Sequence, residues 1–298
     1  RLGNLHDLLL SDGQVPAECV RVNINVELLK QSSAQQTVIN LSDNYEIPQY
    51  IPKTHTAKAV DRAISQPDRT FQFSRFVTIM QGCNNFCTYC VVPYTRGREV
   101  SRQATEIIDE VKIIVKSGVC EVTLLGQNVN SYGTTNTVTK DGLPYSFANL
   151  LYDVSQINGL KRLRFTTSHP KDISDALIDC FSTIENLCPQ IHLPVQCGSD
   201  RILKKMNRKY SIASYLETID RLQKARPDIA ITTDMIIGFP GETDNDFQGT
   251  MDLLNLVRYH GSFSFKYSDR PGTAAARFDG KLSEKEKGER LQLFQKRQ

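Results

Sequence analysis

Residues 76–102, FVTIMQGCNNFCTYCVVPYTRGREVSR, combine an apolar run with three closely spaced cysteines. The apolar run at 76–80 predicts a strand, and a loop carrying Cys83, Cys87 and Cys90 follows it directly. Three thiolates spaced C-x3-C-x2-C can hold three irons of a cubane iron–sulfur cluster and leave the fourth iron without a protein ligand. An open metal position is where a substrate or cofactor binds, so the stretch predicts a reactive cluster.

Two other interpretations of the cysteine triplet are open. A structural zinc site needs four closed ligands, usually in two pairs, and no second pair follows the triplet. A disulfide would leave one thiol unpaired and suits a small secreted domain better than a chain of 298 residues. We therefore favour a cluster. The other cysteines are scattered and are interpreted as small buried hydrophobic residues: Cys19, Cys120, Cys180, Cys188 and Cys197.

Composition narrows the class of protein. The chain is 40% hydrophobic and 23% charged, which is typical of a soluble globular enzyme. It shows no apolar run as long as a membrane span and no signal peptide, so we predict a cytoplasmic protein with no membrane contact. The net charge of +3 is compatible with a nucleic-acid partner but too small to indicate one. No hydrolase triad order or phosphate-binding loop occurs, which argues against hydrolases and kinases.

From residue 76 onward, short β-rich runs alternate with amphipathic helical patterns. This alternation predicts an α/β fold built from βα units around a parallel sheet. Strands are predicted at 76–80, 121–125, 162–166, 190–193, 230–237 and 262–267. Helices are predicted at 105–117, 146–157, 174–184, 212–225 and 244–257, with a charged helix at 284–297. Six such units favour a partial or full barrel over an open sheet.

Polar and glycine-rich segments recur after successive predicted strands, at 126–132, 167–170, 194–199 and 238–242. In βα barrels the active site lies at this end of the strands, so the recurrence predicts a single site. Glycines here also shape turns, and His169 before a proline is also an ordinary loop residue. The candidate cofactor-binding residues of these strands and loops are Gly126, Gln127, Asn128, Ser168, His169, Gln196, Asp234 and Gly238.

The cysteine loop carries a resemblance. C-x3-C-x2-C after a strand, with Tyr89 inside the loop, resembles the radical S-adenosylmethionine (SAM) superfamily. The string GCNNFCTYCVVPYTRGREVSR is similar to the methylthiotransferases within it, and most similar to the MiaB family. The resemblance covers about residues 76–276. It implies a partial (βα)6 TIM-like barrel, a [4Fe–4S] cluster on Cys83, Cys87 and Cys90, SAM on the open iron, and Tyr89 against the adenine of SAM.

The resemblance also implies a reaction. MiaB enzymes methylthiolate C2 of N6-isopentenyladenosine beside the tRNA anticodon, using a radical made from SAM, which implies tRNA and a flavodoxin- or ferredoxin-like electron donor as partners. The segment YSDRPGT at 267–273 is more similar to this group than to relatives that modify N6-threonylcarbamoyladenosine or a ribosomal protein, which remain alternatives. An iron–sulfur electron-transfer or structural metal-binding module is the alternative from another class, and it requires a fourth ligand near the triplet.

Three regions follow from the resemblance. Residues 1–70 are expected to be the C-terminal remnant of an N-terminal α/β methylthiotransferase domain plus a linker, and 71–280 the radical SAM core. Residues 281–298 are expected to form a helix leading toward an absent RNA-binding, TRAM-like domain. The family's second [4Fe–4S] cluster uses three N-terminal cysteines; only Cys19 precedes Cys83, so that cluster is expected only in the full-length protein.

Basic residues near the mouth of the proposed site are candidates for RNA phosphate contacts. A lysine and arginine run is also usual on a solvated helix face. The candidates are Arg96, Arg98, Arg102, Lys204, Lys205 and Arg208.

Overall fold

The computed structural model of this chain describes residues 73–134, 139–140 and 143–298. All of them belong to one compact unit that covers residues 61–298. The domain remnant and linker predicted at 1–70 lie outside the described residues. None of the helices in the described part combines the length and the apolar character needed to cross a lipid bilayer.

Strands and helices alternate along the described residues. The strands are β1 Ser74–Thr78, β2 Met80–Gln81, β3 Val100–Ser101, β4 Glu121–Leu125, β5 Thr139–Lys140, β6 Leu143–Pro144, β7 Arg162–Phe165, β8 Gln190–His192, β9 Ala230–Ile237 and β10 Gly261–Lys266. The helices are α1 Val92–Thr95, α2 Ala104–Lys116, α3 Phe147–Ser155, α4 Asp175–Thr183, α5 Asp200–Lys205, α6 Ile212–Ala225, α7 Asp244–Val257 and α8 Glu284–Arg297. Single 3-10 turns occur at Val129–Ser131, Pro170–Asp172 and Ala275–Arg277.

Six of these strands form a parallel array. β1, β4 and β7 pair in parallel, and so do β8, β9 and β10. The two groups meet where the amide of Leu163 in β7 donates to the carbonyl of Asn186 at 2.8 Å, and the amide of Cys188 donates to the carbonyl of Leu163 at 2.9 Å. The resulting order is β1-β4-β7-β8-β9-β10, with helices between the strands. This arrangement confirms the predicted α/β fold of six βα units.

The sheet has one face toward the helices and one toward the barrel interior. Along β9, Ile231, Thr233, Met235 and Ile237 are buried, while the residues between them are half-buried. This period of two is the pattern expected of a strand whose two faces differ in burial. The helix-facing side forms the main hydrophobic core, where Phe165 of β7 packs edge-to-face on Phe147 of α3 with ring centres 5.1 Å apart.

Most element boundaries agree with the sequence predictions. β4, β9, α6, α7 and α8 begin and end at the predicted residues, and the other predicted elements differ by one or two residues at an end. Helices α3, α6, α7 and α8 each start with a capping box, at Ser146, Ser211, Thr243 and Ser283. The first strand ends at Thr78, earlier than predicted, because Met80 pairs in antiparallel fashion with Ser101 of β3.

Helix α8 packs on the barrel. It lies against β9 and β10, with Phe294 fully buried and the ammonium of Lys287 donating to the carbonyl of Tyr267 at 3.2 Å. Arg290 pairs with the buried Glu242 at 2.6 Å. The helix at 281–298, which was predicted to lead toward an RNA-binding domain, therefore belongs to the same compact unit as the core. The RNA-binding domain predicted beyond it remains a prediction.

Phe294→Ala is expected to lower the free energy of unfolding by about 3–5 kcal/mol, because it removes a buried ring and leaves a cavity. Urea unfolding followed by circular dichroism measures this change. The neighbouring Leu293 is 56% exposed, so Leu293→Ala is expected to change stability by only about 0.5 kcal/mol. Equal effects of the two substitutions would contradict the packing of α8 on the barrel.

Candidate functional site

The cysteine loop lies between β2 and α1 and folds back on the segment that precedes β3. Gly82 has φ +76°, and a Cβ there would overlap the carbonyl of Arg98, so only glycine fits. The amide of Cys83 donates to the carbonyl of Gly97 at 3.3 Å, and the amide of Cys90 donates to the carbonyl of Cys87 at 2.9 Å. The first bond ties Cys83 to the segment before β3, and the second closes a turn that carries Cys87 and Cys90.

Burial and the neighbouring thiols shift the pKa values of two of the three cysteines. Cys87 is buried, and Cys83 and Cys90 are half-buried. Burial raises the pKa of the Cys83 and Cys90 thiols, and the neighbouring Cys87 raises both further. In a cubane cluster each thiolate binds a different iron, so the sulfurs need not converge on one point. Within residues 73–134, 139–140 and 143–298, no three Cys, His, Asp or Glu side chains are placed to share a single ion.

Residues 205–208 run from the last residue of α5 into the turn that follows it, and they form hydrogen bonds to the cysteine loop. We call this segment the clamp. The amide of Thr88 donates to the carbonyl of Met206 at 3.0 Å, and the Thr88 hydroxyl donates to the carbonyl of Lys205, also at 3.0 Å. Asn207, in a left-handed conformation with φ +60°, donates its side-chain amide to the carbonyl of Phe86 at 3.0 Å. The clamp therefore fixes the backbone around Cys87.

Arg208 completes the clamp from within the fold. It is 7% exposed, and its Nη1 lies 3.5 Å from Cys87 Sγ. Nη2 donates to the carbonyl of Pro194 at 2.6 Å, and Nε donates to the Tyr210 hydroxyl at 2.8 Å. The prediction that Arg208 contacts RNA is wrong, because its guanidinium is buried and its donors serve the cysteine loop and the segment after β8.

The other predicted RNA-contact residues differ in exposure. Arg102 donates to the carbonyl of Thr78 at 2.6 Å and pairs with Glu110 at 2.8 Å, so its guanidinium supports the fold. Lys205 donates to the carbonyl of Pro240 at 3.0 Å. Arg96, Arg98 and Lys204 are exposed, and their RNA contacts remain predictions.

The loops after the first strands meet the cysteine loop. Gln127 accepts a hydrogen bond from the amide of Gly82 through its Oε1 at 2.7 Å, which joins the loop after β4 to the cysteine loop. The amide of Val129 donates to the carbonyl of Thr167 at 3.0 Å, which joins the loops after β4 and β7. The predicted convergence of these strand ends is therefore present in the fold.

Tyr210 connects the loop after β8 to the loop after β7. Its hydroxyl donates to the carbonyl of Val195 at 2.7 Å, and its ring meets that of His169 edge-to-face, with ring centres 5.7 Å apart. A hydrophobic cluster lies beneath, formed by Cys197, Ile202, Leu203, Met206, Phe239, Tyr267 and Ala275. The half-buried Tyr89 packs against this cluster, and burial raises the pKa of its hydroxyl well above the ordinary value.

A sequence profile described as the Radical SAM superfamily matches residues 77–254, more than half of the chain. The chain belongs to the radical SAM superfamily. Membership implies a [4Fe–4S] cluster and SAM as cofactors. A solved radical SAM methyltransferase, TsrM from Kitasatospora setae with tryptophan substrate and a SAM analogue bound, shares the fold at TM-score 0.56 and 18% identity, over 68% of this chain and 38% of that one.

Several curated relatives of this radical SAM chain carry the name tRNA-2-methylthio-N(6)-dimethylallyladenosine synthase. The relative from Desulfotalea psychrophila is 57% identical over 274 residues, 91% of this chain and 59% of the relative. The relative from Syntrophus aciditrophicus is 56% identical over 224 residues, 75% of this chain and 48% of the relative. The chain thus spans about half the length of the curated relatives it matches.

Buried polar atoms test whether the radical SAM site suits a polar cofactor. Asn128 Oδ1, Asn130 Oδ1 and Ser168 Oγ are buried and have no hydrogen-bond partner among the described residues. They follow β4 and β7, at the end of the sheet that carries the cysteine loop. A fourth such atom, Asn186 Oδ1, precedes β8. Leaving a buried polar atom unpaired costs about 1–3 kcal/mol, so the three at the site fit a ligand rich in donors and acceptors, as SAM is.

Backbone strain concentrates around the same site. Phe86, Thr167 and Gln196 adopt left-handed conformations, with φ of 48°, 70° and 77°. Such conformations are costly for residues other than glycine and persist where the surrounding fold enforces them. Beyond these and Asn207 in the clamp, Arg258 is the one further such residue in the described ranges.

The remaining predicted cofactor residues have structural partners of their own. A Cβ at Gly126 would overlap the Met80 side chain, and the amide of Gly238 donates to both carboxylate oxygens of Glu242 at 3.1 Å. The amide of Gln196 donates to the carbonyl of Asp234 at 2.9 Å, and the Asp234 carboxylate lies 3.4 Å from His192 Nε2. Contact of Gly126, Gly238, Gln196 and Asp234 with the cofactor remains a prediction.

Sequence reasoning missed the clamp and Tyr210. The run KMNRKY at 205–210 shows only its positive charge in the sequence. Asparagine tolerates a left-handed turn, so Asn207 was the available signal that the chain turns after α5. Nothing local indicates that the turn meets a loop more than a hundred residues earlier.

His169 is expected to make stability pH-dependent. Burial, with Arg208 and Lys171 nearby, lowers its pKa to about 2 from an ordinary value of 6.5. The unfolded chain therefore binds a proton that the folded chain excludes, and stability falls as the pH drops from 6.5 toward 2. One unit below 6.5 the loss is about 1.4 kcal/mol.

Urea unfolding of the cluster-free chain at pH 7.5 and 5.5 measures this loss. His169→Gln removes the titrating group but keeps an acceptor, so its stability should depend less on pH by that amount. An unchanged pH dependence in His169→Gln would contradict the burial of a neutral imidazole.

Proposed function

We propose that this chain is the radical-generating part of a tRNA methylthiotransferase acting at C2 of N6-isopentenyladenosine next to the anticodon. The observation that carries the proposal is the cysteine loop, which contains Cys83, Cys87 and Cys90 and is held by the clamp. Relatives 57% and 56% identical over this region bear the name of that activity, dimethylallyl and isopentenyl being the same group. The tRNA substrate belongs to the proposal.

The cysteines and the buried polar residues of the site have different proposed roles. When bound, the reduced cluster and SAM supply one-electron cleavage of a carbon–sulfur bond. Cys83, Cys87 and Cys90 would hold the cluster and leave one iron for SAM. Asn128, Asn130 and Ser168 offer buried oxygen atoms that need partners, and would orient the polar groups of SAM.

The proposed reaction also requires a site protected from water and further components that supply sulfur and electrons. Tyr89 packs on the hydrophobic cluster, which would exclude water from that side of the cysteine loop. The second [4Fe–4S] cluster as sulfur source, and a flavodoxin- or ferredoxin-like electron donor, are proposed for the protein at the length of its relatives, since this chain spans about half of it.

Cleavage of SAM tests the radical assignment. The chain is reconstituted with iron and sulfide without oxygen, then mixed with SAM and dithionite. Formation of 5′-deoxyadenosine and methionine, dependent on dithionite, is expected. A reconstituted chain that binds iron but yields no 5′-deoxyadenosine would instead support an electron carrier or a structural metal module.

The substrate is tested on the protein at the length of its relatives. Transcripts carrying isopentenyladenosine or threonylcarbamoyladenosine are incubated with it, and the nucleosides are analysed by mass spectrometry. Methylthio product is expected only from the isopentenyl transcript. Product from the threonylcarbamoyl transcript alone would move the protein to the neighbouring methylthiotransferase group.

A further inference from the structure

An aromatic and basic surface lies beside the cysteine loop. It consists of Phe86, Tyr94, Arg96 and Arg98, and we call it the loop-flanking surface. Phe86 is 36% exposed and Tyr94 58% exposed, and their rings meet edge-to-face with centres 6.3 Å apart. The guanidinium carbon of Arg98 lies 5.5 Å from the centre of the Phe86 ring. Two aromatic rings and an arginine therefore form a contiguous patch next to the cluster ligands.

Neither packing nor backbone preference explains a phenylalanine at position 86. Its φ of 48° is a left-handed conformation that bulky residues rarely adopt and that asparagine or glycine adopts more readily. Its ring is partly exposed, so burial does not offset this cost. Asn207 of the clamp fixes its carbonyl at 3.0 Å, which presents the ring on a rigid backbone directly before Cys87.

The charge of the surface is positive. Arg96 and Arg98 are exposed and form no ion pair with any described residue. The adjacent Glu99 points inward: it is 3% exposed, and its carboxylate accepts a hydrogen bond from the Ser131 hydroxyl at 2.6 Å. The surface thus offers guanidinium groups to an anionic partner without a competing carboxylate from its own segment.

We infer that the loop-flanking surface binds the unpaired part of an RNA loop, with Phe86 and Tyr94 stacking on nucleobases and Arg96 and Arg98 contacting phosphates. Unstacked bases in RNA loops are recognised by aromatic and arginine planes, while paired bases are not available for such stacking. The position beside the cysteine loop would hold the bases that flank the modified nucleoside. This inference rests on the proposed function, because it takes the RNA loop to be that of the substrate tRNA.

Fluorescence anisotropy with two labelled RNAs tests the surface: an anticodon stem–loop carrying isopentenyladenosine, and a fully paired duplex of the same length. The reconstituted chain is expected to prefer the stem–loop. Tyr94→Ala and Phe86→Asn should each weaken stem–loop binding about tenfold. Arg96→Ala should reduce the dependence of log Kd on log salt by about 0.7, as for one phosphate contact in a single strand.

Two controls separate binding from folding. Tyr152, on α3, is also 58% exposed, so Tyr152→Ala removes an equally exposed ring outside the surface and should leave RNA affinity unchanged. Phe86→Asn should not lower the urea midpoint, because asparagine suits the left-handed backbone. A loss of affinity with no loss of stability is therefore the expected signature.

Three results would overturn the inference: no binding of the stem–loop by the unsubstituted chain, equal binding of stem–loop and duplex, or unchanged affinity in Tyr94→Ala and Phe86→Asn. Equal binding would point to a surface for an acidic partner that does not use base stacking. The proposed function fails separately, if the unsubstituted chain makes no 5′-deoxyadenosine in the absence of RNA.

Discussion

Replacing any one of Cys83, Cys87 and Cys90 with alanine is expected to abolish stable cluster binding and the formation of 5′-deoxyadenosine. Three protein ligands are the set that leaves a single iron open, and two would leave a second iron without a protein ligand. Iron content per chain, the visible absorption of the reconstituted protein and 5′-deoxyadenosine by chromatography measure the loss. We expect the product to fall below detection in each variant.

Cys120 provides the matched control for these substitutions. It is half-buried, as Cys83 and Cys90 are, and its thiol contacts the carbonyl of Gly118 before β4. Cys120→Ala should retain iron and activity. Retention of a full cluster in any of the three site variants would show that another ligand completes the site, and would remove the assignment of an open iron.

The second large effect is expected at Arg208. This guanidinium is buried, and no carboxylate lies within ion-pair distance of it in the described part of the chain. Its contact with Cys87 Sγ makes the thiolate of a bound cluster its natural counter-charge. Arg208→Met removes both the positive charge and the three hydrogen bonds, so it should favour the less negative, oxidised state of the cluster. Charge and hydrogen bonds at the sulfurs are known determinants of cluster potential.

We expect Arg208→Met to lower the reduction potential by roughly 60 mV, a tenfold change for one electron. Redox titration followed by electron paramagnetic resonance of the reduced cluster measures it. Arg208→Lys keeps the charge and should recover part of the shift, whereas the exposed neighbour Lys209→Met should leave the potential unchanged. An Arg208→Met protein with normal potential but reduced stability would assign the residue a purely structural role.

Local signals explain which parts of the fold could be predicted from sequence. The β-branched run of β9, AITTDMII, and the capping box of α7 are signals carried by neighbouring residues, and both elements were predicted with correct ends. The pair β2–β3 has two residues in each strand, and α5 has six residues, too short to show a period. The first strand was consequently placed two residues late, and α5 was missed.

The residues of the site likewise fall into those that local sequence predicts and those that depend on the fold. The cysteine spacing and the polar strand-end segments are local, so the ligands and the convergence of the loops could be expected. Burial of Arg208 depends on Pro194 and Cys87, which the fold brings to it, and the sequence alone shows only a cation. The same holds for Phe86 and Tyr94, because their exposure and mutual contact depend on how the loop turns.

The clamp also determines the order in which the iron site can be assembled. Arg208 and Cys87 are 121 positions apart, and Lys205 and Thr88 are 117 apart, so these contacts carry a high contact order. Newly made chain emerges with its thiols long before residues 205–208 exist to secure them. Assembly of the iron site on the clamped loop therefore has to follow the synthesis of residues 205–208.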